Sequence, residues 1–264
     1  MTKPRKISIS IITLFPKFIE QYTSFGIIAR AIKNKLLVWR SIDLRQFGLD
    51  ARQTVDDRPY GGGVGMVLRP DVLYKAIHKA QVSRLPTSPR LRRAGKSHAS
   101  RVILLTPSGR RFTQKDAVRL AKYKHLIFVS GRYEGYDERI TKFVDEQLSI
   151  GDYVLMGGEL PALVIAEAIL RHIPGVLGKD ESAVGESFSE SNLLEYPQYT
   201  KPEVWEVASS ATSRRGGWGG KSNQTILRVP KVLLTGHHAN IENWRNSKAR
   251  IRTKKHRPDL LTNI

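Results

Sequence analysis

The stretch VDDRPYGGGVGM, residues 55–66, places two carboxylates and an arginine just before four glycines within five positions. Each glycine gives up side-chain packing and increases the backbone entropy that folding removes. A folded protein therefore keeps such a run where a ligand approaches the backbone closely, or where the chain turns and a Cβ would clash.

Three further segments combine glycine with polar groups: TPSG (106–109), GRYEG (131–135) and SIGDYVLMGGELP (149–161). We expect them to be loops that follow strands, and ligands of open α/β sheets bind where strand carboxyl ends meet loops. Any one loop is more typical of an ordinary tight turn, since glycine is the default turn residue. The three together favour a site in which a ligand contacts backbone N–H and C=O groups.

Several common chemistries are excluded or disfavoured. There are no cysteines, which excludes disulfides, thiolate catalysis and cysteine-ligated zinc. The seven histidines lack ligand spacing, so we expect no metal site. The dinucleotide fingerprint fails at Met66, and neither GKS tripeptide is a P-loop, because Arg90 and Arg215 replace its leading glycine.

The elements that must position these loops alternate along the chain. Continuous apolar runs predict strands at Ile7–Leu14, Leu37–Ile42, Val102–Leu105 and His125–Val129. Apolar residues at helical spacing predict helices at Phe18–Leu36, Asp71–Ala80, Thr113–Ala121 and Pro161–Ile173. This alternation predicts an α/β fold with a parallel sheet. The helix that starts at Pro161 is apolar nearly all round, so we expect it to be buried.

The composition changes after this helix and predicts a second domain. We expect an α/β domain at residues 1–176, a flexible linker at 177–192 and a basic domain with little strand structure at 193–264. Residues 83–100 are predicted to form a flexible loop, and residues 209–224 a flexible insertion.

Charge indicates the kind of partner. Lys and Arg number 44 against 24 Asp and Glu, a net charge of +20. The segments 84–101 and 245–257 carry six and seven basic residues and no acid. A generally basic surface is one interpretation. The more specific interpretation is that the protein binds nucleic acid through its phosphates. No apolar run approaches the roughly 18 residues of a membrane span, so we expect no membrane partner. The absence of cysteines makes a cytoplasmic location the default expectation.

The motifs VDDRPYGGGVGM, GRYEGYDERI, GDYVLMGGELP, IPGVLG (173–178) and LLEYPQYTKPE (193–203) resemble those of the bacterial tRNA (guanine-N1)-methyltransferase family. Their order and spacing match from Ile11 to Leu260. The resemblance implies methylation of tRNA at guanosine 37, with S-adenosylmethionine as the methyl donor. It also implies a SPOUT-type deep trefoil knot in the parallel sheet, a small and mainly helical C-terminal tRNA-binding domain, and a homodimer with shared active sites.

The resemblance also assigns the methyl donor to residues of the three loops. These are Leu105, Thr106, Gly131, Tyr133, Glu134, Gly135, Ile150, Gly151, Asp152, Tyr153, Val154, Leu155, Gly157, Gly158 and Pro161.

Two residues receive catalytic roles by the same resemblance. Glu186 stands where the family has an aspartate general base, and Arg171 matches the arginine that stabilises the substrate base. Guanine N1 must lose its proton before it can be methylated, so a carboxylate is a suitable acceptor. A guanidinium can stabilise the negative charge that builds toward O6. The alternative for Arg171 is a weak surface ion pair with Glu167, four residues earlier in the same helix. We expect Arg171 to be buried, because its helix is so apolar, and a buried arginine needs a stronger reason than such a pair.

Contacts to the target nucleotide are implied for Asp56, Arg58, Gly61, Gly65 and Glu195. The chain departs from the family at Glu186, at Glu195 in place of an aspartate, and at Met156 in place of a small residue. Two alternatives therefore stay open: a catalytically impaired RNA-binding relative, and a SPOUT methylase of another RNA.

Overall fold

The computed structural model describes residues 6–82, 100–178, 186–189, 192–208 and 224–261. The chain divides into two compact units, residues 1–183 and 184–264, called here the N-terminal and C-terminal units. The predicted loop at 83–100 and the predicted insertion at 209–224 lie outside the described residues, apart from Ser100 and Gln224.

The N-terminal unit is built on a parallel sheet of five strands in the order β2-β1-β6-β5-β7. The strands are β1 (Ile7–Thr13), β2 (Leu37–Asp43), β5 (Ser100–Arg111), β6 (His125–Ser130) and β7 (Glu146–Ser149). A separate antiparallel pair joins β3 (Asp56–Asp57) to β4 (Val67–Leu68). The predicted parallel α/β sheet is therefore confirmed.

The strands form where apolar runs can be buried on both faces of the sheet. Every residue of β1 and of β6 is buried, as the near-continuous apolar runs predict. Strand β7 was not predicted from the sequence, because it has only four residues, EQLS, three of which are polar, and it lies at the sheet edge.

The TPSG segment, predicted as a turn, instead lies within β5 as an irregularity of the ladder. Leu148 of β7 pairs with Leu105 and again with Arg110, so the residues between them bulge out of register. Gly109 lies so close to β7 that a Cβ there would be 2.6 Å from the backbone nitrogen of Leu148. The glycine in this segment serves close backbone packing.

Helices cover both faces of the sheet. They are α1 (Pro16–Thr23), α2 (Gly26–Lys33), α3 (Pro70–Val82), α4 (Gln114–Leu120) and α5 (Glu159–Leu170). Side chains of α1, α2, α4 and α5 belong to one apolar core, and side chains of α3 belong to a second core with Val102, Leu104, Ile127 and Val129.

The helix predicted from Phe18 to Leu36 is two helices, so this prediction was wrong. The hydroxyl of Thr23 donates to the carbonyl of Ile19, and the hydroxyl of Ser24 donates to that of Gln21, which closes the end of α1. Gly26 then takes a φ of +63°, a left-handed conformation that favours glycine. The chain therefore changes direction before α2.

Helix α5 begins two residues before the predicted first residue, Pro161. Proline is tolerated there because the N–H groups of the first helical turn have no intrahelical acceptor. The helix is largely buried as predicted, but Leu160 and Val164 are 52% and 49% exposed. One apolar stripe of α5 is therefore not covered by the residues that the structure describes.

The C-terminal unit contains an antiparallel hairpin and a long helix. Strand β8 (Val204–Ala208) pairs with β9 (Gln224–Arg228), and α6 spans His238–His256. The hairpin was not predicted from the sequence. Among the described residues, no helix combines the length and the apolar character needed to cross a membrane.

A charged network ties α4 to β5 and β7. The carboxylate of Asp116 accepts hydrogen bonds from Arg110 at 2.6 Å and from Arg119 at 3.1 Å, and Arg119 also donates to Glu146 at 2.8 Å. Burial alone would raise the pKa of Asp116, but hydrogen bonds from Arg110, Thr113 and Arg119 outweigh it and hold that pKa well below its ordinary value.

We expect Asp116→Asn to lower the free energy of unfolding by about 1–3 kcal/mol at neutral pH, since it removes a buried charged acceptor. Because the folded-state pKa of Asp116 is depressed, its stabilisation is present above the unfolded value of about 4 and is lost as the pH falls toward the folded one. Denaturant unfolding of the wild type and of Asp116→Asn, at pH 7 and at decreasing pH, measures the difference between their free energies of unfolding.

Asp57→Asn is the control, because that carboxylate pairs with Arg69 but is 66% exposed. Its loss should have an effect of about 1 kcal/mol or less. Equal stability of Asp116→Asn and wild type at pH 7 would contradict this account. A difference between their free energies of unfolding that widens on acidification would also contradict it.

Candidate functional site: a cavity at the strand ends

The N-terminal unit has a cavity of about 380 Å³ where the loops after β6 and β7 meet the irregular segment of β5 that begins at Leu105. Every residue predicted to bind a cofactor, apart from Asp152, lines this cavity. Its walls also include residues that the prediction did not contain: Pro107, Arg132, Tyr136, Glu138, Leu148, Ser149 and Met156.

The loop after β6 is fixed by backbone hydrogen bonds to the end of the glycine-rich stretch. The N–H of Glu134 donates to the carbonyl of Met66, and the N–H of Leu68 donates to the carbonyl of Gly135, both at 3.0 Å. Tyr133 and Gly135 have φ values of 59° and 121°. These bonds hold the polar wall of the cavity in a sharply turned conformation.

The loop after β7 returns to the end of β6. The N–H of Gly158 donates to the carbonyl of Gly131 at 2.9 Å. A Cβ at Gly158 would lie 2.7 Å from the Cα of Ser130, so only glycine permits this approach. The two loops therefore meet backbone to backbone at the base of the cavity.

Arg132 connects the same two loops through its side chain. Its Nε donates to Glu159 at 2.9 Å and its Nη1 donates to the carbonyl of Met156 at 3.2 Å. The guanidinium lies over the ring of Phe15, 4.4 Å from its centroid. Glu159 is 1% exposed and also accepts a 2.8 Å hydrogen bond from the hydroxyl of Thr13.

Sequence analysis gave Arg132 no role. The signal that could have found it is a charged pair within two glycine motifs, the arginine of GRYEG and the glutamate of GGELP. A Cβ at Gly157 would collide with the guanidinium of Arg132, so the first glycine of GGELP leaves room for this side chain.

Asp152 is the one predicted cofactor residue outside the lining. Its side chain is 82% exposed and forms an ion pair with Arg111.

The backbone conformation of the glycine-rich stretch explains why it contains four glycines. Gly61, Gly62, Gly63 and Gly65 have φ values of 88°, 83°, 125° and 88°, so each takes a conformation that favours glycine. At Gly65 a close approach is also required, because a Cβ there would lie 2.5 Å from Cγ of Glu134 in the cavity wall. The stretch therefore borders the cavity.

The two polar residues of this stretch that were predicted to contact substrate, Asp56 and Arg58, differ from each other in exposure. Asp56 belongs to β3 and is half-buried, whereas Arg58 is exposed beside Tyr60, which is 99% exposed. Arg58 is therefore open to a ligand.

Arg171 caps the carboxyl end of α5 and is exposed, so the expectation that it is buried was wrong. The reason is its position after the last helical residue, beyond the buried part of the helix. The carboxylate of Glu167, four residues before Arg171, accepts a 2.8 Å hydrogen bond from the hydroxyl of Tyr22.

Glu186 and Glu195 belong to the C-terminal unit. Glu186 is half-buried, and its carbonyl accepts a 3.2 Å hydrogen bond from the N–H of Ser189. The N–H of Glu195 donates to the hydroxyl of Ser187 at 2.9 Å, and its carboxylate accepts from Gln198 at 2.6 Å. The Glu-Ser-Phe stretch is thus anchored to the segment that contains Glu195.

Within the described ranges, no group of three or more His, Asp or Glu side chains is arranged to hold a metal ion.

Comparison with known proteins gives this site a context. The family model described as tRNA (guanine-1)-methyltransferase TrmD matches residues 7–213 and 220–263. A tRNA (guanine-N(1)-)-methyltransferase of Thermus thermophilus is 44% identical over 252 residues, covering 96% of this chain and 90% of the relative. An enzyme with the same name from Lachnoclostridium phytofermentans is 42% identical, and the match covers 95% of this chain and 90% of that relative. The enzyme from Bacillus subtilis is 41% identical, and the match covers 97% of this chain and 92% of that relative. The chain belongs to the tRNA (guanine-N1)-methyltransferase family.

Proposed function

We propose that this enzyme transfers a methyl group from S-adenosylmethionine to N1 of guanosine 37 in tRNA, in the cytoplasm. The observation that carries the proposal is the convergence on one cavity of the loops after β6 and β7 and the irregular segment of β5, in a chain of this family. The SPOUT-type knot is part of the same proposal, and its support is that these segments come from β6, β5 and β7, which are consecutive in the sheet.

The cavity suits a cofactor of this size and chemistry. Its volume of about 380 Å³ falls within the roughly 300–1,000 Å³ of small-molecule sites. Loops that contribute backbone groups offer hydrogen bonds to an adenine or a ribose, and Leu105, Ile150 and Pro161 offer apolar contact. A bound S-adenosylmethionine supplies an activated methyl group on a positively charged sulfur.

The chain must supply a proton acceptor for N1 of guanine, and we assign this role to Glu186. Support comes from its position in the Glu-Ser-Phe stretch and from the hydrogen bonds that fix this stretch to residues 192–195. A positioned carboxylate that accepts the proton as the bond to N1 forms contributes typically 10²–10⁴-fold, on the scale of general base catalysis.

Arg171 is assigned the role of stabilising the negative charge that develops toward O6 of guanine. Its exposure at the end of α5 supports the role, because a substrate can reach it without displacing the core. A guanidinium aimed at developing charge stabilises the transition state more than the ground state.

The glycine-rich stretch is assigned to the target nucleotide. Its contact with Glu134 places it at the rim of the cavity, and Arg58 is exposed beside it. We propose that Asp56, Arg58, Gly61, Gly65 and Glu195 contact the unstacked base or its ribose, since proteins recognise RNA mainly through splayed-out loop bases.

A homodimer with shared active sites is supported by an uncovered apolar surface on the N-terminal unit. Phe18, Phe25 and Ile27 of the α1–α2 region are 41%, 74% and 46% exposed, and Leu160 and Val164 of α5 are about as exposed. The hydrogen bond from Tyr22 to Glu167 joins α1 to α5, so these residues contribute to neighbouring surfaces. Exposed apolar patches of this kind mark protein interfaces.

Gly157→Val should abolish binding of S-adenosylmethionine, because its side chain would displace Arg132 and disturb both loops of the cavity. Gly178→Val is the matched control, since a Cβ at Gly178 meets open space. Calorimetric titration with S-adenosylmethionine, NAD and ATP tests the prediction. Wild-type affinity in a folded Gly157→Val variant, or tight binding of NAD or ATP by the wild type, would refute the cofactor assignment.

Binding of tRNA should weaken steeply as salt increases, because phosphate contacts release counterions. Four exposed basic residues of α6 are suitable for neutralisation: Lys248, Arg250, Lys254 and Lys255. Their replacement by Gln should weaken binding and reduce the slope of log affinity against log salt by up to about 1 per residue that contacts a phosphate.

The control for this experiment replaces four exposed lysines of the N-terminal unit by Gln and removes the same net charge. These are Lys17, Lys33, Lys75 and Lys79. Salt-independent binding by the wild type, or equal slopes for the two quadruple variants, would contradict a phosphate-binding role specific to α6.

Glu186→Gln should leave the affinity for S-adenosylmethionine unchanged and lower the single-turnover methylation rate by about 10²-fold or more, since the amide cannot accept the proton. Glu186→Asp restores the residue that the family has here and should retain much of the activity. A near-wild-type rate for Glu186→Gln, together with an inactive Asp180→Asn or Glu190→Gln, would move the assignment to another carboxylate.

A further inference from the structure

The C-terminal unit has a second cavity, of about 200 Å³, to which the account above gives no role. It is lined by the segment 196–199, by Leu233 of the short helix Lys231–Leu234, and by one face of α6 that includes Ile241, Trp244 and Arg245. All of these residues belong to the same compact unit.

Aromatic rings form part of this cavity and are accessible. The rings of Tyr199 and Trp244 lie 6.2 Å apart at an angle of 57°, and Tyr199 is 48% exposed. A ring that remains half exposed in the folded unit offers a face on which another flat ring can stack.

Positive charge surrounds these rings. The guanidinium of Arg245 lies 4.8 Å from the ring centroid of Tyr196, and the ammonium of Lys248 lies 6.0 Å from that of Trp244. The neighbouring acid Glu195 is engaged by Gln198, and Glu242 is exposed on the next turn of the helix. Two cations beside a tilted pair of partly exposed aromatic rings suit a flat group attached to an anion.

We propose that this cavity holds one unpaired base of the RNA substrate, stacked on Tyr199 and Trp244, with an adjacent phosphate bound by Arg245 and Lys248. The identity of the RNA as tRNA rests on the function proposed above. The cavity is smaller than the roughly 300–1,000 Å³ sites of whole small molecules, so it suits a single base better than a free nucleoside triphosphate. Stacking of bases on aromatic side chains is a general mode of binding to unpaired RNA.

Other occupants fit less well. A cationic ligand, which aromatic rings often bind, would be repelled by Arg245 and Lys248. An acidic peptide would satisfy the cations but would leave the exposed face of Tyr199 without a flat partner.

The test compares Tyr199→Leu, which removes the ring and keeps an apolar side chain, with Tyr199→Phe, which keeps the ring. Trp205→Leu is the matched control, because Trp205 is a 58% exposed aromatic residue of β8 in the same unit and does not line the cavity. Affinity for a purified tRNA transcript is measured with the full chain by fluorescence anisotropy at several salt concentrations.

Tyr199→Leu should weaken the affinity for tRNA by about 10-fold or more, the scale of losing one stacked base, without changing the salt slope. Tyr199→Phe and Trp205→Leu should bind tRNA as the wild type does. Arg245→Gln should reduce the salt slope by about 1, which separates the phosphate contact from the stacking contact.

Wild-type affinity in Tyr199→Leu, or an equal loss in Trp205→Leu, would overturn the proposal. If the wild type methylates tRNA and Tyr199→Leu binds it normally, the base site is wrong and the proposed function stands. If the wild type does not methylate tRNA but shows the expected variant effects on binding, the proposed function fails and the base site stands.

Discussion

The ion pair between Arg132 and Glu159 is the interaction on which the geometry of the cavity depends. A carboxylate that is 1% exposed is strongly destabilising unless it is paired and hydrogen-bonded. Glu159 meets both conditions, because Arg132 and Thr13 donate to its two oxygens and because it lies in the first turn of α5, where the helix dipole favours negative charge. Three segments that are distant in sequence are thereby fixed at one point: the end of β1, the loop after β6 and the start of α5.

The glycines of the site follow from this packing. Arg132 occupies the space beside Gly157, Ser130 occupies the space beside Gly158, and Glu134 occupies the space beside Gly65. The glycines thus allow the protein to approach itself closely. At these positions no side chain covers the backbone N–H and C=O groups, so a cofactor with many hydrogen-bonding atoms can use them.

The sequence predicts the elements that are formed by continuous apolar runs and misses those that depend on distant partners. Strands β1 and β6 are mostly apolar and wholly buried, and they were predicted nearly to the residue. Strand β7 is short, with three polar residues out of four. The strands of the β8–β9 hairpin are separated by residues 209–223, so no tight-turn signal links them. The cavity loops were predicted through their glycines and their resemblance to a family. Arg132 was not, since its importance comes from a glutamate 27 positions later that only the fold brings into contact.

The central claim is that this fold presents a methyl donor to N1 of a guanosine beside the anticodon. The most direct measurement is transfer of an isotope-labelled methyl group from S-adenosylmethionine to a purified tRNA transcript, followed by nuclease digestion and mass spectrometry of the modified nucleotide. Our account predicts one 1-methylguanosine, at position 37, and no transfer to a transcript with adenosine at that position. Methylation at another position or on another atom, or equal transfer to both transcripts, would contradict it.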